Sequence, residues 1–151
     1  MKTAIITGAN GFVGGALTRE LLANDYKVYA LDREGCCGNL PKDPRCIFIP
    51  CDLADMASLV EKISVGEADM MFHFAWVGSA GPLRADTKMQ LQNAQWTVDS
   101  LRVARELGCK RFICAGSIME HETIAAAYTQ GNKPGLGYIY GSGKLVAHTM
   151  C

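Results

Sequence analysis

Near the N-terminus, Lys2 to Gly14 (KTAIITGANGFVG) runs a short apolar strand into glycines at positions 8, 11 and 14 and then into a helix, and no other stretch restricts the fold so strongly. A diphosphate is stabilised by the partial positive end of a helix, provided no side chain blocks the backbone N–H groups. Glycines remove that block. Gly8 allows the tight turn after the strand, Gly11 lets the backbone approach a pyrophosphate, and Gly14 lets the helix starting near Phe12 pack closely on the strand. With 16 glycines in 151 residues, the spacing alone also fits an ordinary strand-to-helix loop.

The second half of the pattern separates these readings. Lys27 to Leu31 (KVYAL) is a second apolar strand ending on Asp32, about 20 residues beyond the turn, where a carboxylate hydrogen-bonds an adenosine ribose. A carboxylate there repels a 2′-phosphate and favours NAD. The neighbouring Arg33 would attract that phosphate, so NADP stays open as the second cofactor.

Composition excludes several partners. Fifteen basic and 15 acidic residues balance, and no basic run offers a footprint for nucleic acid or an anionic membrane. No apolar run approaches the roughly 20 residues of a membrane span, and the opening strand is unlike a signal peptide, which reads as a cytoplasmic chain. Seven cysteines occur without CxxC spacing, so no metal is expected. Cys46, Cys51, Cys109 and Cys114 sit in or beside apolar strands, and Cys36 and Cys37 read as free thiols in a loop.

The elements alternate. Helix is expected over Phe12–Asn24, with Ala16, Leu17, Leu21 and Leu22 at helical spacing, then over Ala54–Ile63 and Asp86–Leu107. Further strands are expected over Cys46–Pro50, Met70–Phe74 and Arg111–Cys114, with Gly/Pro-rich breaks at 34–45 and 131–137. Apolar strands separated by helices mean a parallel sheet covered on both faces, an α/β doubly wound sheet of Rossmann type. The length suits a single domain, residues 1–151.

In such a sheet the ligand lies beyond the carboxyl ends of the strands. Asp52 and Leu53 follow the third strand and suit the amino group and face of an adenine. His73, Phe74, Ala75 and Trp76 end the fourth, His73 reading as a hydrogen-bonded core histidine and Trp76 as a pocket wall. Ser117 follows the fifth. Downstream, Tyr140-Gly-Ser-Gly-Lys144 puts a phenol and an ammonium on one helical face. The lysine charge, with a bound nicotinamide, favours a phenolate able to take a proton from a substrate hydroxyl as hydride leaves its carbon, with Ser117 hydrogen-bonding the same oxygen.

These motifs resemble the extended short-chain dehydrogenases/reductases, the NAD-dependent epimerases and dehydratases that act on nucleotide sugars. The resemblance covers essentially the whole chain: TGANGFVG (7–14) looks like the family's TGxxGxxG turn, Cys51-Asp52-Leu53 like its adenine contact, and His73-Phe74-Ala75 like its HLA segment. It implies cofactor contacts from Gly8, Asn10, Gly11, Phe12, Val13, Gly14, Asp32, Arg33, Asp52, Leu53, Phe74, Ala75, Trp76, Tyr140 and Lys144. It also implies a catalytic set of Ser117, Tyr140, Lys144 and Asn93. The asparagine, in NAQWT where the family has NVxGT, is expected to kink the long helix and order a water near the lysine. The implied activity is reversible oxidation at a sugar carbon by an epimerase, a 4,6-dehydratase or a keto-sugar reductase. A non-catalytic, redox-sensing dinucleotide-binding module is the alternative. Relatives commonly dimerise through the long helix and the Tyr140 helix, where Leu91, Val98 and Leu101 are available, although the same residues equally suit a core face packed on the sheet.

Departures from the family also carry expectations. The Ser117 segment reads SIMEHE instead of a serine-rich stretch ending in Val-Tyr-Gly, which replaces a substrate-side aromatic with His121; Glu120 and Glu122 read either as acid/base groups of a dehydratase or, as expected here, as parts of a polar loop. Gly143 stands where serine is commoner and suggests close approach of a cofactor or partner backbone. Members continue into further strands and a C-terminal lobe over the sugar. The chain is therefore expected to be the N-terminal part of a longer enzyme, inactive as given, with its fifth strand an exposed sheet edge.

Overall fold

A computed structural model describes residues 1–129 and 135–151 of the chain. The elements are β1 Thr3–Thr7, α1 Phe12–Ala23, β2 Lys27–Asp32, β3 Cys46–Pro50, α2 Leu59–Lys62, β4 Met70–His73, α3 Thr87–Glu106, β5 Arg111–Cys114, α4 Ile118–Thr129 and α5 Gly137–Met150. They fall into two compact units, Met1–Ala75 with Asp99–Cys114, and Trp76–Val98 with Ala115–Cys151. The Gly/Pro-rich break expected at 131–137 lies outside the described residues as far as position 134.

The first unit holds a five-stranded sheet of order β3-β2-β1-β4-β5, parallel at every pairing. The chain steps from β1 to β2 to β3 in one direction and returns to the other side of β1 for β4. That reversal leaves a crevice beyond the carboxyl ends of β1 and β4, the place where open α/β sheets bind ligands. Side chains alternate between faces. Ala4, Ile6, Val28 and Ala30 pack with Leu21 and Leu22 of α1, while Ile5, Tyr29, Leu31 and Met71 pack with Met56, Leu59, Val103 and Leu107. β5 is an edge of this sheet, with Arg111 and Ile113 exposed.

Local chemistry moved several expected boundaries. Helix over 54–63 is replaced by a 3₁₀ segment, Leu53–Ser58, broken at Asp55 (φ −125°, ψ 39°), before the four-residue α2. Asp52 caps that segment by accepting from the Ala54 N–H at 2.9 Å, and the Ser58 hydroxyl donates to the Asp55 carbonyl. In α1 the buried face runs through Gly14, Gly15, Thr18, Leu21 and Leu22, leaving Ala16 exposed and Leu17 half-buried. The glycines set that rotation, because only a face without Cβ atoms can approach the β1 turn so closely. α3 begins at Thr87, one residue later than expected, because Asp86 caps it by accepting from the Met89 N–H at 2.9 Å.

In the second unit α5 packs on α4 at Gly141, where a Cβ would stand 2.2 Å from Thr123 Oγ1 and 2.6 Å from the Met119 carbonyl oxygen. At Gly143 a Cβ would meet the carbonyl of Gln90, on α3, at 3.0 Å. The close backbone that Gly143 accommodates is therefore in this chain's own α3, and no cofactor or partner is needed to explain it.

An ion pair at the amino ends of the strands, away from the crevice, makes stability pH-dependent. Lys27 Nζ lies 2.5 Å from Glu67 Oε1, and the Tyr29 hydroxyl also donates to that oxygen. The Lys27 hydrogen bond, then that of Tyr29, holds the Glu67 carboxyl below its ordinary value; the Glu67 bond raises Lys27. A lowered carboxyl stabilises the fold above its unfolded pKa and loses that contribution as pH falls through the folded value. A raised lysine stabilises below its unfolded pKa and loses its share as pH rises through the folded value. Glu67→Gln is expected to cost about 1 kcal/mol near neutrality, discounted for partial exposure, with the difference from wild type shrinking below about pH 4 and above about pH 10. Denaturant melts of both proteins across pH check it.

Candidate functional site

In the first unit, the β1–α1 turn is built by close backbone contact. A Cβ on Gly8 (φ 67°) would lie 2.9 Å from the Ala75 nitrogen, and one on Gly14 only 2.2 Å from the Gly8 carbonyl oxygen. The Gly11 N–H donates to the Gly8 carbonyl at 3.0 Å, and Gly11 caps α1 without any side-chain hydrogen bond. No acidic residue occupies the first turn of α1. Helix N–H groups with no side-chain acceptor form a positive end suited to an anion. Phe12 and Val13 beside it are 95% and 57% exposed, apolar surface that a flat ligand would cover.

Asp32 closes this half of the site. Its Oδ2 accepts from the Asn10 N–H at 3.0 Å and its Oδ1 from the Arg33 N–H at 2.9 Å, which fixes the carboxylate beside the glycine turn. A carboxylate with both oxygens so placed retains lone pairs for two adjacent ribose hydroxyls. Arg33 is exposed, as are Asp52 and the clamp formed by Asn39, whose N–H donates to Asn10 Oδ1 and whose Nδ2 donates to the Asn10 carbonyl. Nothing in the sequence pattern singled out Asn39, because the clamp spans the irregular loop between β2 and β3. Leu53 is half-buried and packs against the hydrophobic cluster under Asp52.

At the end of β4, the Thr7 hydroxyl bonds His73 Nδ1 at 2.9 Å and accepts from the N–H groups of Phe74 and Ala75, both at 3.2 Å. His73 is 3% exposed and stacks on Phe112. It is a hydrogen-bonded core histidine that ties β4 to β1, as its position suggests. Burial pushes the Cys51 thiol up to about 11 and also raises Cys46 and Cys109, which removes these thiols from the candidate nucleophiles. Among the described residues, no group of three His, Cys, Asp or Glu side chains is arranged to hold a metal ion.

The second unit carries the polar and aromatic cluster. Tyr140 and Lys144, one turn apart on α5, are 8% and 7% exposed. Lys144 Nζ donates to the Ala115 carbonyl at 2.9 Å and lies 3.7 Å from the centre of the Trp76 ring. Trp76 meets Tyr140 edge-on, with ring centroids 6.1 Å apart. The Arg84 guanidinium lies 4.3 Å over the Tyr140 ring. Trp76 is thus a wall of this cluster, and Arg84 is a member that sequence spacing did not reveal.

Two buried amides on α3 hold the loop that presents Trp76 and Arg84. Asn93 accepts from the Val77 N–H at 2.9 Å and donates to the Val77 carbonyl at 2.7 Å and to the Met89 carbonyl at 3.0 Å. Gln90 accepts from Trp76 Nε1 at 2.8 Å and donates to the carbonyls of Gly78 and Leu83. α3 is continuous through Asn93, whose amide nitrogen bonds both the neighbouring loop at Val77 and the preceding turn of α3 at Met89. Gln90 was missed: glutamine on a helix reads as a surface residue until the loop that covers it is seen.

Ser117 immediately precedes α4. Its hydroxyl accepts from the Met119 N–H at 3.2 Å while Glu120 Oε1 accepts from the Ser117 N–H at 2.6 Å, a reciprocal capping box. Among the described residues it makes no hydrogen bond to Tyr140, although the hydroxyl proton is left to donate. The expected polar loop is therefore the first turn of α4, and the Ser-x-x-Glu spacing was a readable signal for it. Glu120 is 8% exposed and its Oε2 bonds His148 Nδ1 at 2.7 Å, whereas His121 and Glu122 are exposed.

Residues 4–151 match the model of the NAD dependent epimerase/dehydratase family. The chain is 36% identical over 81 residues to dTDP-glucose 4,6-dehydratase of Streptomyces antibioticus, an alignment covering 47% of this chain and 24% of that protein. It is 31% identical over 121 residues to dTDP-6-deoxy-L-talose 4-dehydrogenase (NAD(+)) of Aggregatibacter actinomycetemcomitans, covering 77% and 42%. Its fold is similar to that of the Bordetella bronchiseptica enzyme WbmH, solved in complex with NAD+, with a TM-score of 0.76 at 19% identity over 99% of this chain and 51% of that one. The chain thus spans a quarter to a half of the length of these proteins.

Proposed function

The chain belongs to the NAD-dependent epimerase/dehydratase family, and from that membership we propose that it is the dinucleotide-binding part of an enzyme that oxidises and re-reduces a sugar carbon of a nucleotide sugar. The observation that carries the reading is the pairing of a buried phenol, Tyr140, with a buried ammonium, Lys144, one helical turn away. The residues of the glycine turn suit NAD: a Cβ-free cradle, an uncapped helix end, and Asp32 held beside it by two backbone N–H groups. Gly8, Asn10, Gly11, Phe12, Val13 and Gly14 would hold the pyrophosphate, Asp32 the ribose hydroxyls, Asp52 and Leu53 the adenine. Phe74, Ala75 and Trp76 would flank the remainder, with NADP disfavoured by Asp32.

When bound, NAD supplies the hydride acceptor and donor. Tyr140 takes the proton of the substrate hydroxyl, and the Lys144 ammonium stabilises the phenolate that precedes this transfer. Ser117 donates its hydroxyl hydrogen to the substrate oxygen and steadies the charge that develops there. Asn93 acts through the loop, by holding Val77 and with it Trp76 against α3. A homodimer is proposed through α3 and α5, where Leu91 is 56% exposed beside an apolar groove lined by Ile139 and Val146.

The binding half of this reading is tested by calorimetric titration of NAD and NADP into the chain. NAD is expected to bind more tightly, and Asp32→Ala to weaken NAD by about tenfold while narrowing its advantage over NADP. A folded chain that binds neither dinucleotide overturns the proposal.

A further inference from the structure

The loop after β4 does more than wall the Tyr140 cluster. Residues Pro82–Ala85 form a single 3₁₀ turn whose place is fixed by Gln90, which bonds Leu83 and Gly78, and by a crowded contact at Gly78, where a Cβ would stand 2.7 Å from that of Leu83. The turn delivers Arg84, half-buried, onto the ring of Tyr140. One guanidinium nitrogen donates to the Ser79 carbonyl at 2.9 Å. Among the described residues Arg84 has no ion pair. The acid nearest in sequence, Asp86, uses its carboxylate to cap α3.

Two cations therefore stand on one aromatic pair, Lys144 on Trp76 and Arg84 on Tyr140. Lys144 has a helical neighbour to serve in Tyr140; Arg84 has none. Ring contact satisfies one face of a guanidinium, but the fork of N–H groups along its edge is shaped for paired oxygens. A preorganised, half-desolvated arginine without a carboxylate is a receptor for an anion brought by a ligand.

We propose that Arg84 is a specificity-determining residue that pairs with an anionic oxygen group, carboxylate or phosphate, on the sugar substrate whose hydroxyl faces Tyr140. The assignment rests on the reading of Tyr140 given above. Pairing with a carboxylate selects acidic over neutral sugars at the reacting end.

The test is an NMR titration of the NAD-saturated chain, following the indole N–H of Trp76, which the bond to Gln90 fixes next to Tyr140. A Trp96→Phe variant assigns the resonance, Trp96 being the other tryptophan. The probes are glucuronate, glucose 1-phosphate and neutral glucose. At least one acidic sugar is expected to bind about tenfold more tightly than glucose, and whichever acid binds better separates the carboxylate source from the phosphate source. Arg84→Gln is expected to erase that advantage and Arg84→Lys to retain part of it, each with the dispersed spectrum of a folded chain. Equal responses to glucose and both acids, no response to either acid in wild type, or an Arg84→Gln protein that still prefers the acid would each overturn the assignment. Failure of NAD itself to bind counts against the proposed function, whereas NAD binding without an acid preference counts against Arg84 alone.

Discussion

Replacing Gly14 with alanine is expected to destabilise the first unit by about 3 kcal/mol and to abolish NAD binding, whereas the same change at Gly15 is expected to be neutral or to stabilise by up to about 1 kcal/mol. The two glycines are consecutive on α1 and both buried, so burial alone would forecast the same outcome. What separates them is the direction of the added methyl group. At Gly14 the Cβ would stand 2.2 Å from the Gly8 carbonyl oxygen and 2.9 Å from the Ala9 Cα, backbone atoms that cannot rotate away. At Gly15 the nearest atom is the Ala9 carbonyl oxygen at 3.4 Å, an ordinary contact, and the next are the movable nitrogens of Arg19. Relieving the Gly14 clash means moving α1 off the strand, which shifts the same N–H groups proposed to hold a pyrophosphate. Thermal melts of the two variants, read with NAD titrations, check this. Equal stability of the Gly14→Ala and Gly15→Ala proteins would refute the close-packing account of the turn.

That contrast also shows where sequence reading reaches its limit. The turn, the carboxylate at Asp32 and the strands β3 and β5 were legible, because each depends on residues adjacent in the chain: a glycine spacing, a strand end, an unbroken apolar run. The buried face of α1 was misread at Ala16, which is exposed, since apolar periodicity does not register that glycines can form a packing face. Ser117 carried two signals. Its place after β5 pointed to the substrate, while the Ser-x-x-Glu spacing, left unused, pointed to a helix cap that the structure contains. Gln90, Asn39 and Arg84 were not legible at all. Each acts on a loop that the chain brings near only after folding, and polar side chains on helices and loops read as solvated until a covering segment is known.

Tyr140→Phe is expected to reduce turnover by about 10² to 10⁴-fold with NAD affinity unchanged, in a protein that joins this segment to the further length its relatives carry. The substitution removes one oxygen and leaves the ring, so the edge contact with Trp76 and the cation–π contact with Arg84 both survive. Among the described residues no side chain hydrogen-bonds the Tyr140 hydroxyl, so its loss leaves no buried partner unsatisfied and the fold is expected to melt as wild type does. A defect confined to kcat therefore isolates proton transfer from packing and cofactor binding. Lys144→Met serves as the companion variant. It removes the ammonium from the face of Trp76 and from the Ala115 carbonyl, so it should lower turnover together with stability, whereas Tyr140→Phe lowers turnover alone. Retained turnover in Tyr140→Phe would remove the phenol from the chemistry. Absence of turnover in wild type and variant alike, with NAD still bound, would instead favour the redox-sensing module, for which a buried phenol and ammonium on α5 serve only to join that helix to the loop at Trp76.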